Sequence, residues 1–122
     1  MRRWRMADRR SARPRPHFEI VGRARLAPGV VVWARVPYAD RDDYKIRPAA
    51  VVDVVGRRAT VRPLTSAASR LACRLAEVED LAAAGLPRAS GFRRRSVVVD
   101  LTDIVGIAGE LSERDRIVAT AA

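Results

Sequence analysis

The 122-residue sequence has one cysteine, Cys73, and one histidine, His17, and this scarcity limits the chemistry open to the chain. A single cysteine cannot form an intramolecular disulfide, and one imidazole beside it makes no thiolate and imidazole set at metal-ligand spacing. The sequence therefore predicts no metal site, no cofactor and no Cys–His nucleophile. Cys73 is predicted to be a small buried hydrophobic residue, and His17 is not expected to belong to an active site.

Aromatic residues and long apolar runs are also scarce. Six aromatic residues make up 5% of the chain, so the core must be built mainly from Val, Leu, Ile and Ala. No uninterrupted apolar run approaches the ~20 residues that a membrane helix needs, and the basic N-terminus lacks the apolar segment of a secretion signal. The sequence predicts one globular domain that is soluble and cytoplasmic and has no membrane partner.

Positive charge is abundant and unevenly distributed. The net charge is +10, and 23 of the 24 basic residues are arginine. Residues 1–16 carry seven of these arginines against Asp8 and lack apolar periodicity, so they are predicted to form a disordered arm. The arm is interpreted either as an electrostatic tether to nucleic acid or as a solvated tail. The preference for arginine favours bidentate phosphate contacts, but codon usage in a G+C-rich genome explains it equally.

Three apolar runs in the middle of the chain predict the first strands of a small β-barrel. They are Val30 to Val36, Ala49 to Val55 and Ala59 to Leu64, separated by a charged loop and by a Gly56-Arg57-Arg58 turn. Short apolar runs separated by a polar loop and a glycine-containing turn are typical of an antiparallel meander. In the first run, every second residue from Val30 onward is apolar and the positions between are mixed, as expected for a strand with one buried face.

Two polar positions are set into this meander. Arg47 opens the second strand just ahead of Pro48, and Thr65-Ser66 close the third. Neighbouring antiparallel strands run in opposite directions, so the start of one lies beside the end of the next. The sequence therefore predicts that Arg47 and Thr65 meet at one end of the sheet.

The second half of the chain continues with a basic cluster, a further strand and a final helix. Arg93-Arg94-Arg95 precedes a strand over Ser96 to Asp100 and is either a phosphate-contact patch or a solvated loop. Ser112 and Asp115 occupy the N-cap and N3 positions of a capping box, which predicts the start of the helix. Ala119 to Ala122 are expected to fray. The packing side of the helix is predicted to consist of Leu111, Ile117 and Val118.

Several segments resemble, in order, the sequence pattern of the MazF/PemK family of toxins from type II toxin–antitoxin systems. An apolar strand with a tryptophan (VVWARVPY) is followed by RPAAVVDVV, PLTS, AAAGLPRAS, SVVVDLTDI and GELSERDRIV, so that the resemblance extends from Pro28 to Val118. It implies a mainly β (α+β) fold over residues 17–122, an SH3-like barrel with a C-terminal helix that forms a homodimer. It also implies a strand near Leu71 to Leu75 and a short helix at Glu77 to Ala84, where helix propensity alone predicts one long helix.

The same resemblance implies a metal-independent endoribonuclease that cleaves single-stranded RNA to 2′,3′-cyclic phosphate and 5′-OH ends. Arg47 matches the family's catalytic arginine and would stabilise charge on the phosphorane. Thr65 matches its catalytic threonine or serine and would hydrogen-bond the phosphate or the 2′-OH. The implied protein partner is an acidic antitoxin with a segment that folds across the basic groove. The residues expected to contact RNA are Tyr38, Arg41, Lys45, Ser66, Arg93, Arg94 and Arg95.

Alternatives to this interpretation stay open. An arginine is a poor proton acceptor, so the general base is unassigned. The nearby carboxylates are Asp40, Asp42, Asp43 and Asp53. Arg47 is alternatively the salt-bridge partner of a loop aspartate, and Thr65 an ordinary β-branched strand residue. The whole chain is alternatively a non-catalytic barrel that binds RNA or protein, or a toxin that inhibits a topoisomerase such as gyrase.

Overall fold

The computed structural model describes residues 26–38, 42–66 and 74–121, which form a mainly antiparallel β-sheet with two short helices. The strands are β1 (Val30–Pro37), β2 (Tyr44–Val55), β3 (Arg58–Thr65), β4 (Arg74–Glu77), β5 (Gly91–Arg93), β6 (Val97–Asp100) and β7 (Ile104–Glu110). The helices are α1 (Leu81–Ala84) and α2 (Glu113–Thr120), and a 3₁₀ turn over Leu101–Asp103 joins β6 to β7. The predicted N-terminal arm, His17 and Cys73 lie outside the described residues. No helix in the described part of the chain is long and apolar enough to cross a membrane.

The strands follow the order β4-β5-β3-β2-β1-β7, and β6 pairs with the first half of β3. The predicted meander is confirmed, because β1 pairs with β2 and β2 with β3, all antiparallel. The turn between β2 and β3 contains Gly56, whose φ of 59° is left-handed backbone that glycine adopts without strain. Within residues 26–38, 42–66 and 74–121, the end strands β4 and β7 do not pair with each other. The sheet is therefore not a closed barrel over these residues.

Buried apolar side chains lie on both faces of the central strands. Successive residues of a strand point to opposite faces, and accordingly Val30 and Val32 belong to one buried cluster whereas Val31 belongs to another. The first cluster consists of Val and Ala residues together with Ile104. The second cluster joins the sheet to both helices and contains Phe92, which is fully buried. The expectation of a mainly aliphatic core is confirmed.

The chain after β3 contains a strand and a short helix, as the family resemblance implies. β4 overlaps the strand expected near Leu71 to Leu75 at its last two residues, and Leu71 to Cys73 lie outside the described residues. The helix expected over Glu77 to Ala84 is limited to the four residues of α1. Its start is set by Asp80, whose side chain accepts a hydrogen bond from the Ala83 amide at 3.0 Å.

The prediction for the start of α2 is confirmed, whereas the predictions for Ile117 and Ala119 are wrong. Ser112 is the N-cap as expected, and its hydroxyl accepts a hydrogen bond from the Asp115 amide at 3.2 Å. Ile117, however, is 57% exposed, whereas Ala119 is fully buried instead of frayed. Asp115 and Ala119 are four residues apart and share the inner face of the helix, so Ile117, midway between them, points outward. Ala119 is also held through its carbonyl, which accepts a hydrogen bond from Arg62.

The Asp115 carboxylate connects α2 to the segment between β4 and α1 through hydrogen bonds. Its carboxylate is fully buried and accepts hydrogen bonds from the amides of Glu79 and Asp80 at 2.9 to 3.1 Å and from Nη1 of Arg114 at 2.7 Å. Burial by itself raises the pKa of Asp115, but hydrogen bonds from Asp80, Glu79, Arg114 and Ser112 outweigh burial and lower the pKa. The capping-box pattern locates the helix start, but not these partners of the carboxylate.

Replacement of Gly85 at the end of α1 is expected to destabilise the fold. Its φ is 74°, and a Cβ on it would collide with the carbonyl of Ala108 in β7. We expect Gly85→Ala to lower the free energy of unfolding by at least ~2 kcal/mol, because the backbone strain and the collision add. Urea denaturation followed by tryptophan fluorescence measures this loss.

Gly56→Ala is the matched control. Gly56 also has a left-handed φ, of 59°, but a Cβ there would meet no atom within 4 Å. Only the backbone strain then remains, and we expect a loss of about 1 kcal/mol. Equal losses for the two variants would contradict the importance of the close approach between α1 and β7.

Candidate nucleic-acid interface

A groove opens where the pairing between β2 and β3 ends. The register of this pair runs as far as Ala49 opposite Pro63. Beyond that point the start of β2 continues to pair with β1, and the end of β3 pairs with β5 instead. Pro48 and Pro63 lie at the divergence, and proline has no amide hydrogen to donate to a ladder. Arg47 and Thr65, each two residues beyond the last pair on its strand, both line the groove.

The groove has a volume of about 880 Å³ and is strongly basic. None of the described residues that line it is acidic, and two aromatic residues, Trp33 and Tyr38, contribute to its wall. A concave surface with several positive charges and no carboxylate favours an anionic ligand. The aromatic rings offer surfaces on which nucleic-acid bases stack. The basic residues of the lining are Lys45, Arg47, Arg88, Arg93 and Arg95.

Arg47 has the surroundings of an anion-binding residue. It is half-buried, and its Nε is shielded from solvent and has no hydrogen-bond partner within the described ranges. Burial lowers the pKa of Arg47 and the nearby charge of Arg93 lowers it further, while Tyr38 acts in the opposite direction. The alternative salt bridge is not formed with Asp42 or Asp43, the described aspartates of the loop. An anion bound in the groove would supply the negative charge that the Arg47 guanidinium lacks among the described residues.

Thr65 and Ser66 supply hydroxyl groups on the opposite strand of the groove. Thr65 is half-buried and is paired with Gly91 of β5, whereas Ser66 is exposed. The sheet therefore holds the Thr65 backbone while its side chain borders the groove. A hydroxyl can donate a hydrogen bond to a phosphate oxygen and accept one from a ribose hydroxyl.

Arg62 fixes the segment that supplies the basic end of the groove. It is only 4% exposed, and its guanidinium donates hydrogen bonds to the carbonyls of Arg93 and Arg94 at 3.0 and 2.7 Å. The same group donates to the carbonyls of Ala119 and Ala121 at 2.7 and 2.9 Å. Burial lowers the pKa of Arg62, but an arginine stays charged at neutral pH. One side chain thus ties the end of α2 to the chain segment around Arg93.

Most of the residues that the sequence analysis assigned to RNA are brought together by the groove. Its lining includes Tyr38, Lys45, Arg47, Thr65, Ser66, Arg93 and Arg95. Arg94 does not line the groove and its side chain is exposed. Arg93 and Arg95 face the groove with Arg94 between them, which is the alternation expected of an extended segment. Arg41 lies outside the described residues.

Sequence reasoning missed Arg88 and Trp33 as groove residues. Arg88 lies in the turn after α1, apart from the other basic residues in the sequence, so no charge cluster marked it. The hydroxyl of Ser90 donates a hydrogen bond to the Arg88 carbonyl at 3.0 Å, which holds this turn. Trp33 is paired with Pro48, the neighbour of Arg47. Its place in the groove follows once the register of β1 against β2 is known.

The carboxylates considered as general bases do not reach the groove where they are described. Asp43 and Asp53 each accept a hydrogen bond from the amide of the next residue, at 2.7 and 2.9 Å. Neither of them lines the groove, and nor does Asp42. Asp40 lies outside the described residues. Over the described ranges, no group of three or more His, Cys, Asp or Glu side chains is arranged to hold a metal ion.

Comparison with known proteins adds no assignment. No protein-family model matches the sequence, and a search of curated proteins finds no match either. The resemblance to the MazF/PemK toxins therefore stays a prediction. The assignment of a function therefore depends on the chemistry of the groove.

Proposed function

We propose that the chain is a metal-independent endoribonuclease that cleaves single-stranded RNA, and that it acts as a type II toxin of the MazF/PemK kind. The observation that carries the proposal is the basic groove, which is lined by both Arg47 and Thr65 and in which the Nε of Arg47 has no hydrogen-bond partner among the described residues. The other basic residues of the lining supply attraction for further phosphates. In this proposal the sheet and α2 belong to an SH3-like barrel that forms a homodimer.

The proposed reaction uses the substrate's own nucleophile. The ribose 2′-oxygen attacks the adjacent phosphorus, the bond from phosphorus to the 5′-oxygen breaks, and the products are a 2′,3′-cyclic phosphate and a 5′-OH. One proton leaves the 2′-OH and one is delivered to the 5′-oxygen. Arg47 donates hydrogen bonds to the non-bridging oxygens and stabilises the charge that develops on the phosphorane. Thr65 donates to the phosphate or orients the 2′-OH, and the acceptor of the 2′-OH proton stays unassigned.

The groove also supports a single strand over a duplex as the substrate. Trp33 and Tyr38 line it together with the basic residues. Stacking on aromatic side chains requires bases that are not already stacked and paired in a helix. The same basic surface would attract an acidic antitoxin segment, which would block the access of RNA.

Cleavage of a long single-stranded RNA in EDTA tests the proposal directly. The folded wild type is expected to produce 5′-OH ends that cluster at one short sequence. EDTA removes the contribution of metal-dependent contaminating nucleases, and mapping of the 5′ ends distinguishes cyclisation from hydrolysis that leaves a 5′-phosphate. Intact RNA after incubation with folded wild type would contradict the proposal.

A pair of substitutions at Thr65 tests the role of the hydroxyl. Thr65→Val keeps the β-branched shape and removes the hydroxyl, whereas Thr65→Ser keeps the hydroxyl. We expect Thr65→Val to lower the rate of cleavage about 100-fold or more and Thr65→Ser to stay within about tenfold of wild type. Single-turnover cleavage of a defined oligonucleotide measures both. Equal rates for the valine and serine variants would exclude a catalytic hydroxyl at this position.

A non-catalytic RNA-binding protein is the second candidate. The observation that favours it is that the described lining of the groove contains neither a carboxylate nor an imidazole, the usual proton acceptors in enzymes. Tight binding of single-stranded RNA, without cleavage and with the same dependence on Arg47, would support this function instead.

A further inference from the structure

We infer that Arg62 is a positioning residue of the groove, because its guanidinium links the C-terminal end of α2 to the segment that carries Arg93 and so sets where Arg93 stands relative to Arg47. This inference rests on the proposed function, since it assigns a role within the same groove. Arg62 lies on β3, the strand that ends at Thr65. One strand therefore supplies a hydroxyl to the groove and holds one of its cations.

The hydrogen bonds of Arg62 divide between two separate parts of the chain. Nη1 donates to the carbonyls of Arg93 and Arg94, whereas Nε and Nη2 donate to the carbonyls of Ala119 and Ala121. The planar guanidinium has five N–H groups in a fixed fork, and these four bonds connect the fork to two segments at once. All four acceptors are backbone oxygens, so the contacts constrain the path of the chain rather than the orientation of other side chains.

Carbonyl groups at the end of α2 offset the free-energy cost of burying the charge of Arg62. The last carbonyls of a helix lack partners within the helix and carry partial negative charge. Arg62 satisfies two carbonyls of this region, those of Ala119 and Ala121. A buried charge is costly unless it is hydrogen-bonded in this way, and apolar residues of similar size commonly serve a core at least as well. The clearest role of the Arg62 guanidinium is therefore to join the end of α2 to the segment around Arg93.

The groove needs such a constraint on Arg93. Arg93 and Arg47 both line it, and they are close enough for the charge of Arg93 to lower the pKa of Arg47. Two cations near each other repel when no anion is bound, and among the described residues no acidic side chain lines the groove to offset their charge. The hydrogen bond from Arg62 to the Arg93 carbonyl holds the backbone of Arg93 against this repulsion.

A double-mutant cycle of RNA binding tests the inference. The probe is a mixed-sequence 20-mer of 2′-O-methyl RNA, which lacks the 2′ nucleophile and cannot be cleaved by the proposed reaction. We expect Arg62→Gln and Arg93→Gln each to weaken binding about tenfold, and the double variant to bind no more weakly than Arg93→Gln alone. Arg57→Gln, which removes the same charge from an exposed turn outside the groove, is expected to change the affinity less than threefold. Additive effects of Arg62→Gln and Arg93→Gln would overturn the inference.

Arg62→Lys keeps the inference testable if Arg62→Gln does not fold. Lysine keeps the positive charge, but its single nitrogen cannot hold both segments as the fork does. We expect folded Arg62→Lys, verified by its thermal transition, to bind the probe about tenfold more weakly than wild type. Binding equal to that of wild type would overturn the positioning role and leave Arg62 as a buried charge.

The outcomes separate this inference from the proposed nuclease. Non-additive effects together with no cleavage of ordinary RNA would refute the nuclease and retain the role of Arg62. Cleavage by wild type together with additive effects on binding would refute the role of Arg62 and retain the nuclease. Failure of folded wild type to bind the probe, together with no cleavage of ordinary RNA, would refute both.

Discussion

An Arg47→Met variant is expected to lose RNA cleavage by at least about 10²- to 10³-fold and yet to unfold no more easily than the wild type. Cleavage is lost because no other donor replaces the guanidinium at the phosphorane. Stability is retained because the Nε of Arg47 is buried without a hydrogen-bond partner among the described residues. Leaving a buried donor unsatisfied costs about 1–3 kcal/mol, and methionine removes that donor while filling similar space. We expect the free energy of unfolding to rise by about 1 kcal/mol.

Single-turnover cleavage and urea denaturation of the same preparation check both halves of this expectation. Arg58→Met is the control, since Arg58 is exposed at the start of β3 and does not line the groove. It is expected to cleave RNA at close to the wild-type rate. A large loss of stability in Arg47→Met would show that Arg47 is held by interactions within the protein, and would count against its assignment to a ligand.

The largest expected loss of stability belongs to Asp115. Asp115→Ala is expected to lower the free energy of unfolding by about 3 kcal/mol or more, because it removes the buried carboxylate that accepts hydrogen bonds from the amides of Glu79 and Asp80 and from the side chain of Arg114. Urea denaturation measures the loss. Asp53→Ala serves as the control, since Asp53 is exposed and, among the described residues, accepts a hydrogen bond only from the neighbouring Val54 amide. Its expected effect is below about 0.5 kcal/mol.

The Asp115 carboxylate also makes stability depend on pH. Its pKa is lower in the folded protein than the ordinary value of about 3.9 in an unfolded chain. The stabilisation is therefore fully present above the unfolded pKa and is lost as the pH falls through the folded pKa. Between pH 7 and pH 3, the wild type is expected to lose more of its unfolding free energy than Asp115→Asn does. Parallel curves for the two proteins would contradict a lowered pKa.

The parts of the fold that sequence predicted are those governed by local rules. Alternation from Val30 to Val36 identifies β1, and the glycine turn at Gly56 identifies the β2–β3 hairpin, because strand period and turn backbone are properties of a few adjacent residues. Antiparallel pairing of β2 and β3 also explains why Arg47 and Thr65 come to the same end of the hairpin, although a bulge between Val51 and Asp53 shifts the register by one residue on the way. These elements needed no knowledge of distant contacts.

The parts that sequence reasoning missed depend on residues far apart in the chain. Arg62 is one polar residue within a strand, and its burial follows from carbonyls 31 to 59 positions away. Arg88 reaches the groove only because the turn after α1 lines it together with the end of β3. Ile117 is apolar but exposed, because an eight-residue helix offers its inner face to Asp115 and Ala119 instead. No periodicity in the sequence carries this information.

The two prolines at the divergence of β2 and β3 have a consequence for kinetics. Without amide hydrogens at Pro48 and Pro63, the strands cannot extend their ladder and close over the space between them. Over the described residues, the groove is therefore open without a ligand. We expect association to be governed by diffusion and long-range attraction, so that the association rate constant falls steeply as ionic strength increases. Differences in affinity between ligands would then arise mainly from differences in their dissociation rate constants.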